Sequence, residues 1–162
     1  MRAHGRGRAT PDIGVDQVSG LKRDDTIGDL GLQVLGVDPR ADVGIYPIGY
    51  VVSNPNYVVG DNVPQLQVLP APVRVLVDNF SRTYGEPNPD SFGFRIAGLA
   101  FDDQPEEVAR VFALDDIGPR ADVGTYTLFP EIISDNYQLE TIEPGRLTVL
   151  FRNLALKPEN VA

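Results

Sequence analysis

Apolar positions in residues 73–150 fall into short alternating runs, separated by clusters of Gly, Pro, Asn and Asp. Val73-Arg74-Val75-Leu76-Val77 alternates after the Pro70-Ala71-Pro72 break and predicts an opening strand. Asn79 to Tyr84 carries it toward a turn-rich stretch, Gly85 to Asp90. Phe92, Phe94 and Ile96 alternate with Gly93, Arg95 and Ala97, which predicts a second strand with one apolar face. Asp102 to Val111 holds the one helical signal: acidic caps, Pro105 near the first position, then Glu106 and Glu107 in the first turn. Further strands are predicted at Thr125–Phe129, Tyr137–Ile142 and Arg146–Leu150. Glu143-Pro144-Gly145 reads as the loop of a hairpin between the last two. The inward-facing set expected from this pattern is Val75, Val77, Phe92, Phe94, Ile96, Leu99, Val111, Tyr126, Leu128, Tyr137, Leu139, Leu147 and Val149.

The chain also states much of this pattern twice. Pro39-Arg40-Ala41-Asp42-Val43-Gly44 recurs letter for letter as Pro119-Arg120-Ala121-Asp122-Val123-Gly124, 80 residues on. Asn56-Tyr57 and Asn136-Tyr137 share that offset. Leu66-Gln67-Val68-Leu69 answers Leu147-Thr148-Val149-Leu150 at 81, and Gly20-Leu21 with Asp24-Asp25 answers Gly98-Leu99 with Asp102-Asp103 at 78. Matched blocks separated by small indels are the mark of tandem duplication followed by loop drift. A period near 80 suits a small self-contained domain rather than a solenoid unit. The expected organisation is a first module over 1–69, a second over 70–150 and a tail over 151–162.

Composition narrows the function classes. A net charge of −9 with only two lysines, Lys22 and Lys157, argues against nucleic acid as a partner. The one basic cluster is Arg2, His4, Arg6 and Arg8. No apolar run approaches the ~20 residues of a membrane span, and no hydrophobic stretch follows the basic start to make a signal peptide. The chain has no cysteine, so its modules must rest on β-cores rather than disulfides.

Candidate chemistry is sparse. Asp24-Asp25, Asp102-Asp103 and Asp115-Asp116 could offer oxygens to calcium, but no Asp-x-Asp-x-Asp-Gly loop accompanies them, and caps or turns account for such pairs more simply. Lys22 as an isopeptide lysine has Ala100 as its counterpart, which weighs against a crosslink common to both copies. No nucleophile elbow, phosphate loop, dinucleotide fingerprint or zinc spacing occurs. Glu106, Glu107, Glu131 and Glu140 lack the tryptophan-lined groove that a glycosidase pair would need. In the repeated Pro-Arg-Ala-Asp-Val-Gly turn, Gly44 and Gly124 are expected to supply a special φ, and Asp42 or Asp122 to bond a turn amide. The reading is no enzyme, no cofactor and no assigned metal.

Thr83-Tyr84-Gly85, Asn88-Pro89, Gly98-Leu99, Asp102-Asp103, Val123-Gly124-Thr125-Tyr126, Asn136-Tyr137 and Gly145-Arg146-Leu147-Thr148-Val149 follow one another in an order that resembles the bacterial MBG domain of the Tyr-Gly-X type. The resemblance covers 73–150 and, more loosely, 3–69, where Ala3-His4-Gly5 stands for Thr83-Tyr84-Gly85. It implies a mostly β, β-grasp-like module, with an immunoglobulin-like sandwich as the alternative. It also implies tandem repeats in filamentous-haemagglutinin-like adhesins, on the bacterial outer surface or outside the cell, as part of a longer exported chain. The function expected is a stalk, spacer or head-to-tail assembly unit of an adhesin or filament. The alternative is a module whose loops hold a glycan or protein ligand.

One further pattern concerns assembly. Module one has no counterpart of Val73 to Val77, while Leu154 and Leu156 lie 81 residues after Val73 and Val75. The tail therefore reads as the opening strand of another module. It is expected either to reflect a cut through a longer array or to be donated to module one, within or between molecules, against an edge carrying Val15 and Val18.

Overall fold

The computed structural model describes residues 2–4, 14, 15, 17–113 and 117–159, with backbone alone for 2–4. The chain is mostly β and divides into two compact units. Unit 1 comprises Met1–Pro72 together with Leu99–Asp103 and Asp135–Gln138; unit 2 comprises Val73–Gly98, Gln104–Ser134 and Leu139–Ala162.

In unit 1, β1 (Arg2–His4) runs parallel to β5 (Gln65–Leu69), with Ala3 opposite Val68, and β3 (Gly44–Pro47) pairs antiparallel on the other side of β5. A second ladder joins β2 (Leu32–Leu35) to β4 (Gly49–Val52), with Leu32 opposite Val52. A short 3-10 turn, Ile27–Leu30, precedes β2 and is capped by Thr26 and Asp29. Leu30, Ile48, Leu66 and Val68 are buried.

Unit 2 holds two sheets. The first orders β7 (Phe80–Thr83), β12 (Gly145–Leu150), β10 (Gly124–Ile132) and β9 (Ala109–Ala113); the second places β6 (Ala71–Val77) between β8 (Phe94–Ala97) and β11 (Tyr137–Glu143). The period-2 pattern of β6 is realised in full: Ala71, Val73, Val75 and Val77 are buried and Pro72 and Arg74 exposed. Val75 and Val77 share one cluster with Leu128 and Leu147, against which Ile96, Val111 and Leu139 pack, so the core lies between two sheets. The only α-helix among the described residues is the single turn α1 (Pro105–Val108), with Pro105 at its start as expected.

Three local expectations need correcting. The helical signal over 102–111 yields only that turn, capped by Gln104 rather than an aspartate. From Ala109 the chain pairs with β10, where β-branched Val111 packs into the core. β11 and β12 are not a hairpin: β11 lies beside β6 and β12 pairs with β10 and β7, so Pro144-Gly145 carries the chain from one sheet to the other. Gly145 is required by that crossing, since a Cβ there would collide with the Asp78 carbonyl and stand 2.7 Å from Val77 Cγ1. Finally, neither Gly44 nor Gly124 takes a positive φ, and both aspartate carbonyls accept from a tyrosine. The Tyr46 hydroxyl donates to the Asp42 carbonyl at 2.8 Å and the Tyr126 hydroxyl to that of Asp122 at the same distance.

The repetition in the sequence is thus a repetition of contacts. Gly20 and Gly98 both have positive φ, as do Arg23 and Phe101. Thr26/Asp29 and Gln104/Glu107 form equivalent capping boxes. The buried set Leu30, Ile48, Leu66 and Val68 corresponds to Val108, Leu128, Leu147 and Val149.

Candidate functional site

The acidic pairs serve as anchors for tyrosines. Tyr57 donates its hydroxyl to Asp25 Oδ2 at 2.5 Å and accepts from the Lys22 amide at 3.2 Å. Tyr137 does the same with Asp103 Oδ2 at 2.5 Å and the Ala100 amide at 3.1 Å. The Asp25 contact raises the Tyr57 hydroxyl above its ordinary value, because ionising it would remove the donated proton and set two negative groups together. Asp29 is shifted the other way. The backbone amide of Thr26, then its hydroxyl, hold the carboxylate below the usual range by bonding to the charged form. Asp115-Asp116 lies outside the described residues. Among the described residues no three His, Cys, Asp or Glu side chains come together as a metal group.

The first Pro-Arg-Ala-Asp-Val-Gly turn is occupied within unit 1. Arg40 lies 4.6 Å over the Phe101 ring and 4.0 Å from Asp102 Oδ2. Asn136 accepts from the Val43 amide and donates to Asp42 Oδ1, both at 2.8 Å. No sequence signal marked Asn136 for that role beyond its place in a repeated Asn-Tyr.

The feature that stands apart is a groove in unit 1 of about 330 Å³. Val15, Val18, Leu30, Leu32, Val52 and Tyr57 supply much of its lining. Val15 and Val18, singled out from the sequence as an edge, are therefore brought together here. Leu154 and Leu156 are 83% and 88% exposed, on a tail segment with no regular secondary structure over 151–159.

Two groove residues, Val18 and Tyr57, match Ile96 of β8 and Tyr137 of β11 in unit 2 by offsets of 78 and 80. There β6 is the central strand between β8 and β11, with Val73 and Val75 at 0% and 2% exposure. The counterparts of β8 and β11 in unit 1, around Val18 and over 57–63, have no ladder among the described residues. Val58 is 91% exposed.

Comparison with known families bears on the stretch that holds most of unit 2. The family model described as MBG domain (YGX type) matches residues 73–148. Residues 73–148 are similar to an MBG domain of the YGX type. No curated protein and no solved structure matches the chain.

In the matched stretch the Tyr-Gly pair of the family's description falls at Tyr84-Gly85. Tyr84 is 41% exposed, so its role is not the core packing that an aromatic suggests. Its amide donates to the Leu150 carbonyl and that of Gly85 to the Pro119 carbonyl, while Gly85 takes φ +90. The motif turns the chain out of β7 and ties it to the loop before β10. Arg82, one residue earlier than Thr83, is the buried residue the pattern did not reveal. Its Nε donates to Asn88 Oδ1 and its Nη2 to the Gly118 carbonyl, each at 2.7 Å, and Asn88 donates on to the Ile117 carbonyl. Arg82 thus fastens the Asn88-Pro89 turn to the 117–118 loop.

MBG domains occur as repeat domains of surface proteins. Among the described residues no helix is long and apolar enough to cross a membrane.

Proposed function

We propose that this chain is a non-enzymatic repeat segment of a bacterial extracellular adhesin or filament, carrying two copies of the MBG module and acting as stalk, spacer or assembly unit. The observation that carries the reading is the duplication of structural contacts along the chain. The same tyrosine–aspartate bonds, capping boxes and buried quartet appear at offsets of 78 to 81 residues. Selection on such a chain acts on the integrity of each module, because the polar groups kept in both copies hold turns. Arrays of this kind gain reach by adding copies, and each copy contributes its own stability. Export on a longer chain agrees with an acidic, cysteine-free composition.

The test is a binding screen. The protein is immobilised and exposed to a glycan array and to host surface proteins, with a shuffled-loop variant alongside. The spacer reading expects no saturable binding. Tight binding that maps to one exposed loop replaces it with the ligand-binding reading.

A further inference from the structure

We propose that the 119–124 turn of one copy of this chain docks onto the 23–25 loop and Asn56 of a second copy, repeating between molecules a contact that unit 1 makes within itself. Inside unit 1 that contact has two halves. The donor half is the 39–44 turn. Arg40 lies over the Phe101 ring and 4.0 Å from Asp102 Oδ2, while the Val43 amide and the Asp42 carboxylate both bond Asn136. The acceptor half is the loop over 101–103 with Asn136 beside it, brought together by the bond from the Tyr137 hydroxyl to Asp103. Each half is built a second time. The 119–124 turn has the same six residues and the same tyrosine bond, from Tyr126 to the Asp122 carbonyl at 2.8 Å. Its Ala121 amide donates to the Gly118 carbonyl at 3.0 Å, where Ala41 donates to Asp38 at 2.9 Å. On the acceptor side, Tyr57 holds Asp25 at 2.5 Å and Arg23 takes φ +57 where Phe101 takes +53. Asp24 and Asn56 stand for Asp102 and Asn136.

These second halves lie open. Val43, whose amide is bonded, is half-buried, whereas Val123 is 54% exposed, and Arg120 and Asp122 are exposed beside it. Asp24 and Asn56 are exposed as well. Matching residue for residue puts the Val123 amide on Asn56 Oδ1, Asn56 Nδ2 on Asp122 Oδ1, and the Arg120 guanidinium beside Asp24. One position departs. Arg23 replaces Phe101, so Arg120 meets a like charge instead of an aromatic face, and the contact between copies is weaker than the one within unit 1. A turn and two loops also make a small surface, which places the dissociation constant at about 1 mM. The donor belongs to unit 2 and the acceptor to unit 1, so the contact is heterologous and propagates as an open chain or a ring.

The experiment uses full-length, isotope-labelled chains. NMR spectra are recorded from about 0.05 to about 2 mM, a range that brackets the expected constant. The Val123 amide and the Asn56 side-chain amide are expected to shift with concentration. The Val43 amide and the Asn136 side chain, already bonded within unit 1, should stay fixed. Arg23→Phe restores the aromatic partner at a backbone φ that Phe101 already adopts, and should move the curve to about two- to fivefold lower concentration. Position is read by complementation. Arg120→Asp/Asp122→Ala lacks the donor and Asp24→Arg/Asn56→Ala lacks the acceptor, so neither should shift alone. Mixed with unlabelled Asp24→Arg/Asn56→Ala, the labelled Arg120→Asp/Asp122→Ala chain should show the Asn56 shift again, because each supplies the half that the other lacks. All four positions are exposed, and Asp122→Ala keeps the carbonyl that Tyr126 bonds, so the fold holds, which circular dichroism checks. Shifts restored on mixing support the proposal. Three results overturn it: Val123 and Asn56 signals that stay fixed in both the natural chain and Arg23→Phe, shifts that persist in either double variant alone, or a mixture that restores nothing. The inference extends the assembly part of the function proposed above and fails separately from it, because a chain with neither self-association nor glycan binding keeps the spacer reading and loses this one.

Discussion

Removing one hydroxyl at two equivalent tyrosines should have very different costs. Tyr137 is 5% exposed, and its hydroxyl sits between Asp103 Oδ2 and the amide of Ala100, itself 5% exposed. Tyr137→Phe strands that buried N–H and takes a donor from a carboxylate. A stranded buried donor costs about 1–3 kcal/mol and a bond to a charged group contributes about 1.5–3 kcal/mol. The two overlap, so the expected loss is about 2–4 kcal/mol. Tyr57 makes the same two bonds, but with exposed Lys22 and exposed Asp25, so water replaces the hydroxyl on both. Tyr57→Phe should therefore cost a small fraction of the Tyr137 value. Urea unfolding followed by circular dichroism measures both. With a slope of about 1–3 kcal/mol per molar, the Tyr137 variant should unfold roughly 1–2 M earlier. Hydrogen exchange at Ala100 gives a local check, with protection falling in Tyr137→Phe and unchanged in Tyr57→Phe. Equal losses, or a larger one at Tyr57, would refute the argument that burial of the stranded partner sets the cost.

Four other outcomes follow from the packing and the charges. Gly145→Ala should destabilise unit 2 by roughly 1–3 kcal/mol, because its Cβ meets the Asp78 backbone and Val77, whereas Gly60→Ala, with open space around it, should be close to neutral in the same melt. Arg82→Lys should cost about 1–3 kcal/mol, since one ammonium cannot reach both Asn88 and the Gly118 carbonyl; a melt indistinguishable from the natural chain would disprove the need for the fork. Asp29 has a lowered folded value, so its stabilisation is present above the ordinary 3.8 and fades as pH falls through that lowered value; the Thr26 amide shift should titrate below 3.8 in an NMR pH series. Tyr57 is raised, so its contribution holds up to its ordinary 10.0 and fades as pH climbs through the raised value, which absorbance of the phenolate in Tyr57→Phe against the natural chain would resolve.

The sequence made the strands of unit 2 legible because their apolar residues alternate with polar ones and end at Pro, Gly or Asn. Val73 to Val77 and Tyr137 to Ile142 lie within β6 and β11 for that reason. It did not tell which strands pair. A Pro-Gly between two alternating runs fits a hairpin and a crossing equally, and only the close approach of Gly145 to Asp78 separates them. Arg82 was hidden for a related reason: an arginine in a strand usually faces water, and its burial depends on Asn88 and Gly118, six and 36 residues away.

Unit 1 shows the limit of local pattern more sharply. Val58 and Val59 are as β-prone as any pair in the chain, and they match positions in β11, yet 57–63 forms no strand. Propensity for extended structure is realised only when a neighbour accepts the hydrogen bonds and covers one face. In unit 2 that neighbour is β6, central to its sheet, and both flanking strands depend on it. Leu30, Ile48, Leu66 and Val68 are nonetheless buried, so unit 1 keeps a core alongside its two ladders and capped turn.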